Sequence, residues 1–177
     1  MCINVQCVIL NGKWKQLNKI LSFDVSSVST GWAFFNDNKL ENFGTIQPLD
    51  TYRLQEKMYW FRNEVRSLLN IFTPDHVIIE ETYLKNVTTL KVLMQFIGII
   101  NMECFTEIGA EPIFVSPQTV RSLFKVKTKE EAFDYVKNKY KVKLKNYTFE
   151  TGNDITDAIL MGLYLIDTLT KKGESNE

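Results

Sequence analysis

The sequence predicts an α/β domain: a mixed five-stranded sheet, three antiparallel strands followed by parallel ones, flanked by helices. Three observations carry this. Short apolar runs at Ile20–Val25, Thr30–Phe35 and Leu40–Ile46 follow one another across links bearing Ser, Asn and Asp, the pattern of an antiparallel meander. Strand and helix patterns then alternate, as parallel strands require. The run His76–Ile79 is apolar at each position after the histidine, as in a strand covered on both faces.

The elements follow in order. Val5–Leu10, Asn11-Gly12 and Lys13–Leu17 read as a small hairpin, since Asn-Gly suits a type I′ turn. Residues 1–18 are thus an appended hairpin or a poorly ordered leader; residues 19–170 form the main domain and residues 171–177 a frayed polar tail. After the meander, a helix opens at Asp50 or Thr51 and runs to about Phe72. Leu54, Met58, Phe61, Val65, Leu68, Leu69 and Phe72 give it one apolar face. Thr73-Pro74-Asp75 ends it, and the strand at His76–Ile79 leads into Glu80. A second helix spans Thr88 or Thr89 to about Glu107. It is apolar on more than one side, which suits core burial plus a partner surface, and Gly109 stops it. Pro112–Val115 is the fifth strand. Ser116 caps a short helix with Pro117 at its first position, and Thr128 caps another to about Tyr140, with Glu131 at capping-box spacing. The last helix is expected from near Asn153 to about Leu169.

Composition narrows the class. The chain has 177 residues, 45% hydrophobic, enough for one domain with a core. Polar residues break its longest apolar stretches, and the N-terminus lacks the pattern of a secretion signal. The expectation is a soluble cytoplasmic protein of a bacterial or phage-infected cell, with no membrane partner. Cys2, Cys7 and Cys104 match neither a zinc nor a redox spacing and read as reduced thiols. The net charge is +0, low for a nucleic-acid binder, but basic residues cluster. Between Arg121 and Lys145 nine Lys or Arg face only Glu130, Glu131 and Asp134. A charge run alone usually marks a solvated face.

Four acids carry the chemistry. Asp24 ends the first strand of the sheet, Glu80 ends the buried fourth strand, and Asp154 and Asp157 lie three apart at the start of the last helix, on one helical face. Taken singly, each has an ordinary explanation: Asp24 as cap of the Ser26-Ser27 turn, Glu80 as the strand's exit to solvent, and the last pair as partners of a helix N-terminus. Brought together they would repel and raise one another's pKa unless a cation sat among them. Oxygen-only sets of this kind suit Mg²⁺ or Mn²⁺, which in pairs promote phosphodiester hydrolysis.

These segments resemble the motifs of RuvC-type Holliday junction resolvases of the ribonuclease-H-like superfamily. Phe23-Asp24-Val25-Ser26-Ser27 with Thr30-Gly31-Trp32-Ala33 resembles the first motif, an aspartate ending strand one before a Thr-Gly-aromatic turn. Pro74–Glu81 resembles the second, and Asn153-Asp154-Ile155-Thr156-Asp157-Ala158 the third. Weaker similarity covers Tyr83–Asn86 and Pro117-Gln118-Thr119-Val120-Arg121, so the likeness spans about Leu21 to Thr168. Val25-Ser26 replaces the family's frequent Pro-Gly, and residues 1–18 have no counterpart; this looks like a divergent, phage-like branch.

The resemblance implies a divalent-metal-dependent endodeoxyribonuclease acting on Holliday junctions and other branched DNA. It implies that Asp24, Glu80, Asp154 and Asp157 hold two Mg²⁺ ions, Mn²⁺ substituting, with Asp24 between them. It further implies that Tyr83 stacks on an unpaired base and that Lys85, Arg121 and Lys129 meet phosphates. It also implies a homodimer, for which the Thr89–Glu107 helix offers the surface. His76, the only histidine, is expected to be structural. Other readings are a nuclease of the same fold acting on flaps, forks or RNA–DNA hybrids, and a non-catalytic junction-binding module. A third is an ATPase using Asp24–Gly31 as a phosphate loop, against which stands the lack of a second glycine-rich motif.

Overall fold

The computed structural model describes residues 7–10, 13–16, 18–82 and 87–174. Strands β1 (Cys7–Leu10) and β2 (Lys13–Gln16) pair antiparallel as a separate two-stranded sheet. The expected turn at Asn11-Gly12 lies outside the described residues.

The main sheet contains β3 (Lys19–Asp24), β4 (Thr30–Asn36), β5 (Lys39–Ile46), β6 (His76–Glu80) and β7 (Ile113–Val115), in the order β5-β4-β3-β6-β7. β3, β4 and β5 pair antiparallel, whereas β6 and β7 join in parallel. This is the mixed sheet the sequence predicts. Asp37 and Asn38 connect β4 to β5 with φ values of 45° and 65°, a backbone that short Asx side chains tolerate.

Helices α1 (Leu54–Phe72) and α2 (Val87–Ile108) cover one face; α3 (Pro117–Phe124), α4 (Lys129–Lys139) and α5 (Phe149–Glu174) cover the other. Each layer has its own core. Leu21, Phe23, Val77 and Ile79 point toward α1 and α2, while Ile20 and Ile78 point toward α5 with Ile155, Ala158 and Ile159. The alternation is the two-residue period of a strand. It also explains why β6 is continuously apolar, since both of its faces are covered.

Helix bounds differ from expectation at three ends. α1 starts at Leu54, because Arg53 and Glu56 close a reciprocal cap: the Arg53 N–H donates to Glu56 at 2.7 Å. α5 starts at Phe149, four residues before the expected Asn153. Thr148 and Thr151 cap it, with the Thr148 N–H donating to Thr151 Oγ1 at 3.0 Å. At its other end α5 continues through the expected tail to Glu174, where Lys171 and Lys172 suit the negative end of the helix dipole. α3 and α4 begin as expected, on the Ser116 and Thr128 hydroxyls.

α2 corrects another expectation. By length and composition it is a helix that could cross a membrane, because its polar residues are too sparse to interrupt it. In the fold, Phe96, Ile97, Ile100 and Cys104 are buried against the sheet and α1. A fully buried carboxylate locks this pairing: Glu103 accepts from Arg62 Nε at 2.5 Å and from Arg66 Nε at 2.9 Å. Glu103→Ala takes from Arg62 the carboxylate it pairs with and leaves Arg66 with Glu107 alone, at 2.9 Å. It is expected to lower the urea midpoint far more than Glu56→Ala, which breaks an exposed pair at the start of α1. Equal midpoints for the two variants would refute a structural role for Glu103.

Candidate active site

Register brings the first two acids together. Phe23 pairs with Ile79 across the parallel β3–β6 ladder. One step further, Asp24 and Glu80 sit side by side at the same end of neighbouring strands. Phe23 and Ile79 face α1 and α2, so strand alternation turns Asp24 and Glu80 toward α5. The third partner arrives from that helix. Ser22, also fully buried, donates its hydroxyl to the Ala158 carbonyl at 2.7 Å and pins α5 to β3 one residue beyond Asp157.

Gly31 allows the closest approach. It pairs with Asp24 across the β3–β4 ladder, and a Cβ there would lie 2.0 Å from the Asp154 carbonyl oxygen and 2.8 Å from the Ile155 nitrogen. Only a glycine lets α5 rest this near the sheet. The glycine of the Thr30-Gly31-Trp32 turn therefore places the last two acids.

The acids form one electrostatic unit. Burial pushes the Asp24 carboxyl well above its ordinary range, and Glu80, Asp157 and Asp154 push it further up, while Lys129 opposes them. Burial and Asp157 raise Glu80, opposed by Lys129 and Arg121. Asp157 is also raised by burial, with Lys129 and Arg121 pulling it back. Asp154 is half-buried and is the weakest of the partners acting on Asp24. Both members of the last pair lie past the first turn of α5, so the helix-terminus explanation for them falls away.

The basic residues divide. Arg121 of α3 lines a small crevice with Glu80, Asp157 and Pro117. Lys129, expected on the DNA face, reaches the acids: its Nζ lies 3.1 Å from Asp157 Oδ2. That contact is an ion pair to a carboxylate oxygen shut off from solvent. Sequence reasoning missed this placement, though a signal existed: a lysine at the first position of α4 opposes the helix dipole. Tyr83 and Lys85 lie outside the described residues. His76 is half-buried at the start of β6, at the opposite end of that strand from Glu80.

The loop after Asp24 does not offer a phosphate cradle. The Ser26 N–H donates to Thr30 Oγ1 at 3.0 Å, and the Val28 N–H donates to Ser26 Oγ at 3.2 Å. These amides are committed within the loop.

The donor set suits a hard divalent ion: carboxylate oxygens only, mutually repelling, one of them shut off from solvent and facing a cation. As they stand, no three Asp, Glu, His or Cys side chains among the described residues close around a common point that could hold an ion. The positive charge among the acids comes from Lys129 and Arg121.

No protein-family profile matches the chain, and no curated protein matches it in sequence. Solved structures do. T. thermophilus RuvC in complex with a Holliday junction substrate superposes with a TM-score of 0.69 at 17% identity, covering 82% of this chain and 90% of that one. A second Thermus thermophilus RuvC structure gives 0.67 at 17% identity, over 82% of this chain and 91% of the other. The yeast mitochondrial Holliday junction resolvase Ydc2 gives 0.60 at 12% identity, over 82% and 76%. The five-stranded mixed sheet with its flanking helices has the RuvC-type ribonuclease-H-like fold.

Proposed function

We propose that this chain is a divalent-metal-dependent endodeoxyribonuclease that cuts Holliday junctions and related branched DNA. One observation carries the reading: Asp24, Glu80 and Asp157, far apart in sequence, gather at the carboxyl ends of the neighbouring strands β3 and β6 and on the helix beside them, in a fold shared with junction resolvases. A group of mutually repelling acids drawn partly out of solvent costs stability, and such costs concentrate at functional sites.

Asp24, Glu80, Asp154 and Asp157 are the residues to hold Mg²⁺, with Mn²⁺ as substitute. Ions held there supply Lewis acidity toward a phosphodiester and toward attacking water. The protein supplies placement. Ser22 and Gly31 fix α5 against β3 and β4, so the carboxylates keep their spacing when DNA arrives. Arg121, beside Glu80 and Asp157, is set to meet a phosphate at the mouth of the crevice. Tyr83 and Lys85, which follow β6 in sequence, complete the proposed DNA contacts by base stacking and phosphate pairing.

Paired cuts need two active sites, and we propose a homodimer built on α2. Met94, Met102 and Phe105 are exposed along it, an apolar strip that its packing on α1 leaves uncovered. Sedimentation equilibrium is expected to give a dimer for the wild type and a monomer for Phe105→Glu. An unchanged dimer in that variant would place the interface elsewhere.

The function is tested with labelled four-way junction, fork, duplex and single strands, each with Mg²⁺, Mn²⁺ or EDTA, and with Asp24→Asn alongside. Metal-dependent paired cuts in the junction support the proposal. Equal cutting of fork and junction widens the substrate to branched DNA, and tight junction binding without cutting leaves a binding module.

A further inference from the structure

Lys129 occupies an unfavourable position for a cation. It is the first residue of α4, where the backbone dipole is positive and disfavours a cation. Two acids in the same turn could hold its ammonium, yet neither does. Glu131 accepts instead from the Lys127 N–H at 2.6 Å, and the Glu130 carboxyl is held low by its own N–H and by the Thr128 hydroxyl. The Lys129 side chain crosses to α5, where Nζ meets the buried Asp157 at 3.1 Å. From there it also acts on Asp24 and Glu80. One ammonium thus acts on three carboxylates from three different elements, Asp157 buried and Asp24 and Glu80 half-buried.

The contact is built to be broken. Asp157 is 6% exposed but the Lys129 side chain is 49% exposed, so the ammonium can leave for solvent without repacking the core. The contact is a single ion pair at 3.1 Å, made by an ammonium that already reaches solvent. A divalent ion brings twice the charge to the same oxygens.

We infer that Lys129 is an internal counter-ion of the acidic cluster, and that a divalent cation enters by displacing its ammonium from Asp157. Lys129 thereby sets the affinity of the site for metal. This rests on the reading of the cluster as a divalent-ion site, and makes Lys129 a positioning residue for the carboxylates.

The test is calorimetric titration of the full chain with MnCl₂, without DNA, for wild type, Lys129→Met, Lys129→Arg and Asp24→Asn. Lys129→Met is expected to bind Mn²⁺ at least about tenfold more tightly than wild type, since the competing charge is gone. It should also melt earlier than wild type in EDTA. Lys129→Arg keeps the charge and is expected to stay within a few-fold of wild type. Equal or weaker binding by Lys129→Met, with wild type still binding, overturns the counter-ion role and leaves the metal site standing. Absence of Mn²⁺ binding in both wild type and Lys129→Met overturns the metal reading itself and this inference with it. A second readout needs no variant: Mg²⁺ should move the Lys129 side-chain carbon resonances in the wild type to free-lysine positions. Resonances that stay fixed while Mg²⁺ binds would refute displacement.

Discussion

Asp24→Asn is expected to abolish junction cleavage, with a loss on the order of a thousandfold or more, and to make the metal-free protein more stable. The two effects have one cause. Asp24 stands half-buried at the end of β3, and loss of solvent, reinforced by Glu80, Asp157 and Asp154, raises its carboxyl well above its ordinary range. The folded state therefore holds this proton more tightly than the unfolded chain does. Stability conferred by the proton is full at acid pH and falls as pH rises past the unfolded carboxylate range toward the raised folded value. At neutral pH an asparagine of the same shape removes the repulsion. The Tm in EDTA should rise by at least about 2–4 °C, the shift that about 1 kcal/mol produces in a domain of this size. Its slope against pH should flatten. Scanning calorimetry between acid and neutral pH checks both. A variant that loses cleavage and stability together would mean that Asp24 holds the fold rather than the chemistry.

Gly31→Ala carries the second largest effect and works without changing any charge. The added methyl would meet the backbone carbonyl of Asp154 at 2.0 Å and its carbon at 2.2 Å, distances that no side-chain rotation relieves. α5 must lift from β4, and Asp154 and Asp157 move with it. Overpacking of this kind costs roughly 3 kcal/mol or more, because the obstacle is main chain. Cleavage is expected to fall below detection, with Tm lowered by roughly 6–12 °C. Gly98→Ala is the control for stability alone, measured on the monomer, since nothing in the chain lies within 4 Å of the atom it adds and it sits in the α2 strip proposed for the dimer. Wild-type cleavage by Gly31→Ala would show that the position of α5 does not govern the site.

Much of the fold was legible because β-branched and aromatic runs end at polar links. Ile20–Val25, Thr30–Phe35 and His76–Ile79 are each within one residue of a strand. Asp24 and Glu80 were legible as acids ending apolar strands. The start of α5 was not. Gly152 and Asn153 are poor helix residues, and reading them as the boundary ignored tertiary pressure. In the fold a Cβ on Gly152 would lie 3.0 Å from Tyr147 and 3.2 Å from the Phe133 ring, so a small residue is needed inside the helix. Lys129 was legible as a basic residue near the site, but not as the partner of Asp157. That pairing depends on how α4 lies across α5, which no local pattern encodes.

The acids come from β3, β6 and α5, and this spacing along the chain dictates when they can meet. The β3–β4–β5 meander closes through short loops and can form early. The β3–β6 ladder must wait for α1, and the Ser22–Ala158 bond spans 136 residues. Contacts of long separation form late, because the entropy of closing the loop must be lost first. On a ribosome the meander can therefore be complete before Asp154 and Asp157 have been synthesised. The carboxylate cluster is thus expected to coalesce late, and a nascent chain that has folded only its N-terminal strands carries no assembled site.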